Sequence, residues 1–355
     1  MKTLAINPGS TSTKIAVYDG KREIFTENIY HPTDELGKFT RIADQKKFRK
    51  NMILEMLKKK NININDFSAI VGRGGVLRPI EGGTYKVNKK MLDDLSSPEI
   101  KEHASNLGAL IAFEIANKIK VDAYIADPVV VDEMVPIARI TGIRKFNRLS
   151  IWHALNQKAC AKRYARETGK RYEDLNLIVV HMGGGISIGS HKHGKVVDVN
   201  NALDGEGPFT PERSGTLPVG QLIDLCFSGE VSKEELKLLN KGKGGLISHL
   251  GTSSLIEVEE RIDEGDENAK LIFEALCYQI AKFTSYSLPI FSEEKVHCII
   301  FTGGMAKSER LIGKLKSYLS FTNIPFIVYK GENEMEALRD SLLAVLTKKE
   351  EAKNY

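Results

Sequence analysis

Aromatic side chains are scarce: one tryptophan, and 7% aromatic residues in a chain of 355. That is too few for the stacking surface on which single-stranded nucleic acid is held. The four cysteines, Cys160, Cys226, Cys277 and Cys298, are far apart and form no C-x-x-C pair. This excludes a disulfide framework and a zinc site of ordinary spacing. Cys160 and Cys226 could pair in a fold, but four reduced thiols in a cytoplasmic protein is the simpler expectation. No apolar run approaches the roughly 20 residues that span a bilayer, and MKTLAINPGSTSTK lacks the apolar core and cleavage site of a secretory leader. Excess charge is also small: 51 lysines and arginines against 46 acidic residues leave +5, which suits a small anion at least as well as nucleic acid. What the sequence does have is glycine, 30 of them, in a chain that is 42% hydrophobic; this is a globular composition, not a disordered or fibrous one. The length is more than twice a typical domain of about 150 residues, so two domains sharing one active site are expected.

The periodicity supports two domains of one kind. Thr3 to Asn7, Lys14 to Tyr18 and Glu23 to Ile29 read as three strands, the last two joined at Asp19-Gly20, a hairpin signal. The pattern returns at Leu177 to His181, Ile186 to Ser190 and Val196 to Val199, with a turn at His193-Gly194. One hairpin-rich α/β unit built twice is the expectation, with a boundary near Leu149 and no low-complexity linker. Lys46 to Lys60 reads as a helix with Phe48, Met52, Met56 and Leu57 on its apolar side and its basic residues on a solvated face. Leu107 to Ile119, Ser150 to Glu167 with Ser150 as N-cap, Asn268 to Ser287, Lys307 to Leu319 and Glu334 to Thr347 are further helices. Ala69 to Gly72, Ala123 to Val131 (interrupted at Asp127-Pro128), Val296 to Thr302 and Pro325 to Tyr329 are strands.

Three glycine-bearing turns carry chemistry. Asn7-Pro8-Gly9-Ser10-Thr11-Ser12-Thr13-Lys14 offers backbone amides, hydroxyls and a cation to a polyphosphate between two strands. It is not a P-loop, whose spacing is absent; the alternative is a polar hairpin tip. In His181-Met182-Gly183-Gly184-Gly185 three consecutive glycines cost about 0.5–1 kcal/mol each against alanine, a cost that close approach of a ligand would explain. His181 at the strand end could donate to a phosphoryl oxygen or be structural. Phe301-Thr302-Gly303-Gly304 ends a buried strand before a helix, where α/β folds place ligands and where a flat ring can lie on the main chain.

Taken in order, NPGSTSTK, VGRGGVLRPIEGGTY (71–85), HMGGGISI (181–188), FTPERSGTLP (209–218) and FTGGMAKS (301–308) resemble the acetokinase family of acetate and butyrate kinases, over essentially the whole chain. The second and fourth motifs and the chain length look most like butyrate kinase or its branched-chain relatives. The resemblance implies two duplicated ribonuclease H-like domains of the actin-like ATPase and sugar kinase superfamily around a central cleft: 1–148, with the C-terminal helix 334–355 packing back on it, and 149–333. It implies reversible phosphorylation of a short carboxylate by ATP with Mg2+, giving ADP and an acyl phosphate, in a cytoplasmic homo-oligomer with no nucleic-acid or membrane partner.

By the same resemblance Arg73 approaches the substrate carboxylate, and Arg213 and His181 contact the transferring phosphoryl group. Asp127 lies near the metal and arginine cluster, and Asn7 and Glu334 resemble metal-site residues, with Glu332 and Glu336 as neighbours on shifted alignments. Ser10, Ser12 and Lys14 take the first phosphate loop, and Gly183, Gly184, Gly185, Gly303 and Gly304 flank the nucleotide. One departure is that acetate kinases carry a histidine where this chain has Leu149, while His153 matches a later family histidine. Acetate or propionate kinase activity, a chaperone- or actin-type ATPase and a sugar kinase using Asp127 as base are the rival readings.

Overall fold

A computed structural model describes residues 1–355. The chain divides into two compact units, Met1–Asp132 with Asn333–Tyr355, and Glu133–Glu332. The division falls at Asp132 and Glu133 rather than near Leu149. Glu133 is committed to the second unit by Lys158 at 2.9 Å, both side chains being 5% exposed, and by the Val196 amide, which donates to it at 2.7 Å.

In the first unit the apolar runs form β1 (Lys2–Pro8), β2 (Ser12–Asp19) and β3 (Arg22–Tyr30) as an antiparallel meander. Parallel to β1 runs β4 (Phe67–Arg73). Next come β5 (Thr84–Lys86), antiparallel to β6 (Asp122–Ala126), which itself lies parallel to β4. The terminal strand Lys353–Asn354 extends the sheet beyond β5. Helices Asn106–Ile119 and Glu334–Leu346 both pack on β1, β4 and β6, covering the fully buried Leu4, Ile6, Ile70 and Ile125. The strand expected to reach Val131 stops at Ala126, because Asp127 turns the chain with φ 36°.

The second unit repeats the plan. β7 (Asn176–Met182), β8 (Ile186–Lys192) and β9 (Lys195–Val199) form the meander, and β10 (Cys298–Gly303) and β11 (Phe326–Lys330) add in parallel beside β7. All of β7 is buried, as expected of a strand covered on both faces. With a period of two, Ile178, Val180 and Met182 join the core under the helices Glu267–Tyr286 and Glu309–Leu319. Leu177 and Val179 pack instead with Cys160, Ala161 and Ala165 of the helix Ala154–Glu167. That helix begins four residues after Ser150, with His153 as its N-cap, so Ser150 is not the cap. The sequence 150–153 is used up in bringing Trp152 (2% exposed) into the interior.

The duplication extends to detail. In both meanders the register of the second hairpin shifts two residue pairs before its turn, between Val17 and Tyr18 and between Ser190 and His191. All four cysteines are free, Cys226 exposed and the other three buried. No helix is long and apolar enough to cross a membrane.

Candidate functional site

In the first unit, Asn7 is the penultimate residue of β1 and Arg73 the last of β4, so the parallel pairing of these strands brings them side by side. Asn7 Nδ2 donates to Glu334 Oε2 at 2.6 Å, and Arg73 donates to the same oxygen at 3.1 Å and to Asn7 Oδ1 at 3.3 Å. Glu334 comes from the first turn of the terminal helix. Of its neighbours, Glu332 lies in the second unit with Oε1 3.9 Å from His181 Nε2. Glu336 adds its charge to burial in raising the pKa of Tyr18.

Lys14 is the cross-strand partner of Asn7, so their side chains share a face of the sheet, and Ser12, two residues away, shares it too. Ser10 is exposed on the turn. Asp127 directly follows β6. Its Oδ1 accepts the Gly83 amide at 2.7 Å while its own amide donates to the Gly83 carbonyl at 3.0 Å, a reciprocal clamp that closes the 81–84 turn.

In the second unit, His181 occupies the penultimate place of β7, the place Asn7 has in β1. Its parity turns it toward the helix Ala154–Glu167, where Asn156 Oδ1 lies 2.8 Å from His181 Nδ1. Asn156 Nδ2 donates to the Glu332 carbonyl, so the amide oxygen is fixed as acceptor and His181 Nδ1 must carry the proton. The ring of His153 stacks on His181, and its Nδ1 lies 2.8 Å from Ser187 Oγ. Behind them, Gln157 Nε2 donates to Ser187 Oγ at 2.7 Å, and Gln157 Oε1 lies 3.0 Å from Nε2 of the fully buried His191. His191 also meets Tyr172 Oη at 2.7 Å. Burial, then the charge of Lys158, hold His191 neutral. Asn156 and Gln157 were not singled out from the sequence; no local motif marks them, since they reach His181 and His191 only through folding, whereas Ser187 lies within the HMGGGISI motif.

Arg213 explains part of the triple glycine. A Cβ on Gly185 would overlap the Arg213 guanidinium, so a side chain there would displace that group. The guanidinium donates to the Ala202 carbonyl, its Nε is buried without a partner, and burial lowers its pKa. An orphaned donor on a half-buried cation is suited to an anionic oxygen. Gly184 is exposed and accepts the Thr210 hydroxyl at 2.7 Å. Gly183 lies near His181 Nε2 and Glu332. Gly303 has φ 94° and lies against the Met182 backbone, while a Cβ on Gly304 would meet nothing within 4 Å. Gly304 therefore presents bare main chain at the carboxyl end of β10, and Ser308, four residues on, caps the helix Glu309–Leu319 by accepting the Leu311 amide at 2.9 Å.

The donor set fits a metal held mainly by phosphate. No group of three or more histidine, cysteine, aspartate or glutamate side chains is arranged to hold an ion alone. A magnesium-type cation bound on a polyphosphate needs only one or two protein oxygens, and Asn7 and Glu334 can supply them.

Comparison with known proteins identifies the family. The family model described as Acetokinase family matches residues 135–324. Butyrate kinase 2 of Clostridium acetobutylicum is 52% identical over 354 residues, covering 100% of this chain and 99% of the relative. Among solved structures, acetate kinase of Porphyromonas gingivalis superposes with a TM-score of 0.78 at 17% identity, over 96% of this chain and 98% of that one. A propionate kinase of Francisella tularensis gives 0.72 at 18% identity, over the same shares. At such identities these two speak for the fold alone, while the full-length relative and the family model place the function: the chain belongs to the acetokinase family of carboxylate kinases.

Proposed function

We propose that the chain transfers the γ-phosphoryl group of ATP to butyrate or a branched-chain short acid, reversibly, giving ADP and the acyl phosphate. The observation that carries this is the 52% identity to a butyrate kinase across the whole chain. A carboxylic acid is ionised at neutral pH, so its oxygen attacks phosphorus directly, the bond from phosphorus to the ADP oxygen breaks, and no general base is needed. The obstacle is an anion meeting a polyanion, which makes positioning and charge stabilisation the whole of catalysis.

In this reading Arg73, held by Glu334 and Asn7, receives the acid. Arg213 and His181 bind the equatorial oxygens of the phosphoryl group as charge spreads onto them. Ser10, Ser12 and Lys14 hold the phosphate chain, Gly183 to Gly185 let it approach the backbone, and Gly303 and Gly304 take the nucleoside. Asp127 acts by fixing the turn at Gly83. Mg2+, met by Asn7 and Glu334, would neutralise phosphate charge. Leu149, 59% exposed, stands where acetate kinases have histidine, an apolar exchange that suits a longer acyl chain. We also propose a homo-oligomer: Ile137 (83%), Ile140, Phe146 and Phe227 (87%) of the second unit are exposed, apolar surface that a second copy would cover. Four free cysteines suit a reducing cytoplasm.

The test is ADP formation with an acid series from acetate to valerate, straight and branched. Butyrate or isobutyrate should give the highest kcat/KM. A maximum at acetate or propionate would reassign the substrate, and no response to any acid would overturn the proposal.

A further inference from the structure

The helix Lys46–Lys59 does not turn all its cations to solvent. Lys46 and Lys50 share Glu114 at the surface, but Arg49, with Ile53 and Leu57, lies on the buried line of the helix and is 1% exposed. Its guanidinium closes on the turn after β1. Nη1 donates to the Gly9 carbonyl at 2.7 Å, the Ser12 carbonyl at 3.1 Å and Thr13 Oγ1 at 3.3 Å, and Nη2 donates to the Ser10 carbonyl at 2.8 Å. Gln45 Oε1 accepts from Nε at 3.0 Å and from Nη2 at 2.8 Å.

Every one of these partners is neutral. No carboxylate pairs with Arg49, and burial alone draws its pKa down, to about 10, which leaves it charged at neutral pH. The neighbouring His31, pulled down to about 4 by burial and then by Arg49, brings no charge of its own. A buried, hydrogen-bonded but unneutralised cation is unfavourable by itself. On the turn it supports, residues 9–11 are exposed, and the amides of Ser10 and Thr11 make no hydrogen bond within the protein. The carbonyls of the turn are thus occupied by Arg49 while donors stay available to a ligand, the arrangement of an anion nest.

We infer that Arg49 is a positioning residue for the 9–13 turn, and that its charge is balanced when a polyphosphate chain binds there. This rests on the reading that the turn holds the phosphates of the nucleotide. Arg49 does not touch the ligand; it fixes the main chain that does and adds its field through that main chain.

The experiment compares dissociation constants for ATP and for adenosine by calorimetry in wild type, Arg49→Lys, Arg49→Met and the double variant Ser10→Ala/Ser12→Ala, each confirmed folded by thermal melting. Losing the charge should weaken ATP about tenfold or more, with adenosine within about twofold; Arg49→Lys, which keeps the charge but not the planar fork, should fall between. Equal weakening of ATP and adenosine, or no weakening, would overturn the inference, because a merely structural role does not discriminate phosphates from nucleoside. If Arg49→Met does not fold, the ATP-to-adenosine ratio of Arg49→Lys decides. Weakening by the serine variant alone removes only the role of Arg49. Unchanged ATP affinity in all variants removes the phosphate role of the turn itself.

Discussion

The imidazole of His153 lies flat on that of His181, with ring centroids 3.8 Å apart and planes 11° from parallel. With Asn156 fixing the proton on Nδ1, His181 is held in place from one face and one edge, and Nε2 is its remaining polar atom. His181→Ala should lower kcat by about 100-fold or more with little change in KM for the acid, as for a group used in the transition state. Asn156→Leu should reproduce part of that loss. Steady-state kinetics that show an unchanged kcat in both variants would remove His181 from the reaction.

Arg213 and Gly185 form a second pair that can be tested together. Arg213→Ala should cost roughly 1000-fold in phosphoryl transfer, and Arg213→Lys should recover little of it, since an ammonium has no planar fork. Gly185→Ala should approach the same loss without removing the arginine, because the new methyl group takes the space of the guanidinium. In the double variant the two losses should not add. Additive losses would mean that Gly185 acts independently of Arg213.

Glu334 accepts from both Asn7 and Arg73. Glu334→Gln keeps the shape but removes the charge that pairs with Arg73 and would meet a metal. The Mg2+ concentration for half-maximal activity should rise about tenfold, read from Mg2+ titrations at fixed ATP. An unaltered Mg2+ requirement with a raised KM for the acid would place Glu334 on Arg73 alone.

Stability should fall on mild acidification. His31 has its pKa lowered to about 4 and His191 has its pKa lowered by complete burial, so below about pH 6.5 the unfolded chain takes up protons that the folded chain refuses. Each such histidine removes about 1.4 kcal/mol per pH unit as the pH drops, and for His31 the loss levels off near its folded value of about 4. Urea unfolding between about pH 7 and pH 5 measures the slope, and His31→Gln should reduce it by about 1.4 kcal/mol per unit. An identical slope in wild type and variant would show that His31 does not contribute.

Much of the architecture was legible before folding was considered. The meanders announce themselves through period-two runs around Asp19-Gly20 and His193-Gly194, because a half-buried strand and a tight turn each constrain residue type locally. Glu334, uncertain against Glu332 and Glu336 in the sequence, is set in place by the first turn of a helix that returns to β1 and β4, a relation between residues 327 and 261 positions apart. Arg49 was read as one cation among lysines on a wet face. Charge predicts exposure in general, and the exception depends on three main-chain carbonyls of a distant turn. Ser150 as helix cap failed for a similar reason: the local preference gave way to burying Trp152.

The return of Asn333–Tyr355 to the first unit bears on how the protein is made. Met1–Asp132 leave the ribosome first, yet their sheet waits for Lys353–Asn354, and Asn7 and Arg73 wait for Glu334, until the whole of Glu133–Glu332 has been made. The second unit, continuous from Glu133 to Glu332, has every one of its own residues by then. A chain that stopped at Glu332 would hold a complete second unit and an unfinished first one, so termination there leaves a protein without Glu334, not a slower version of the enzyme.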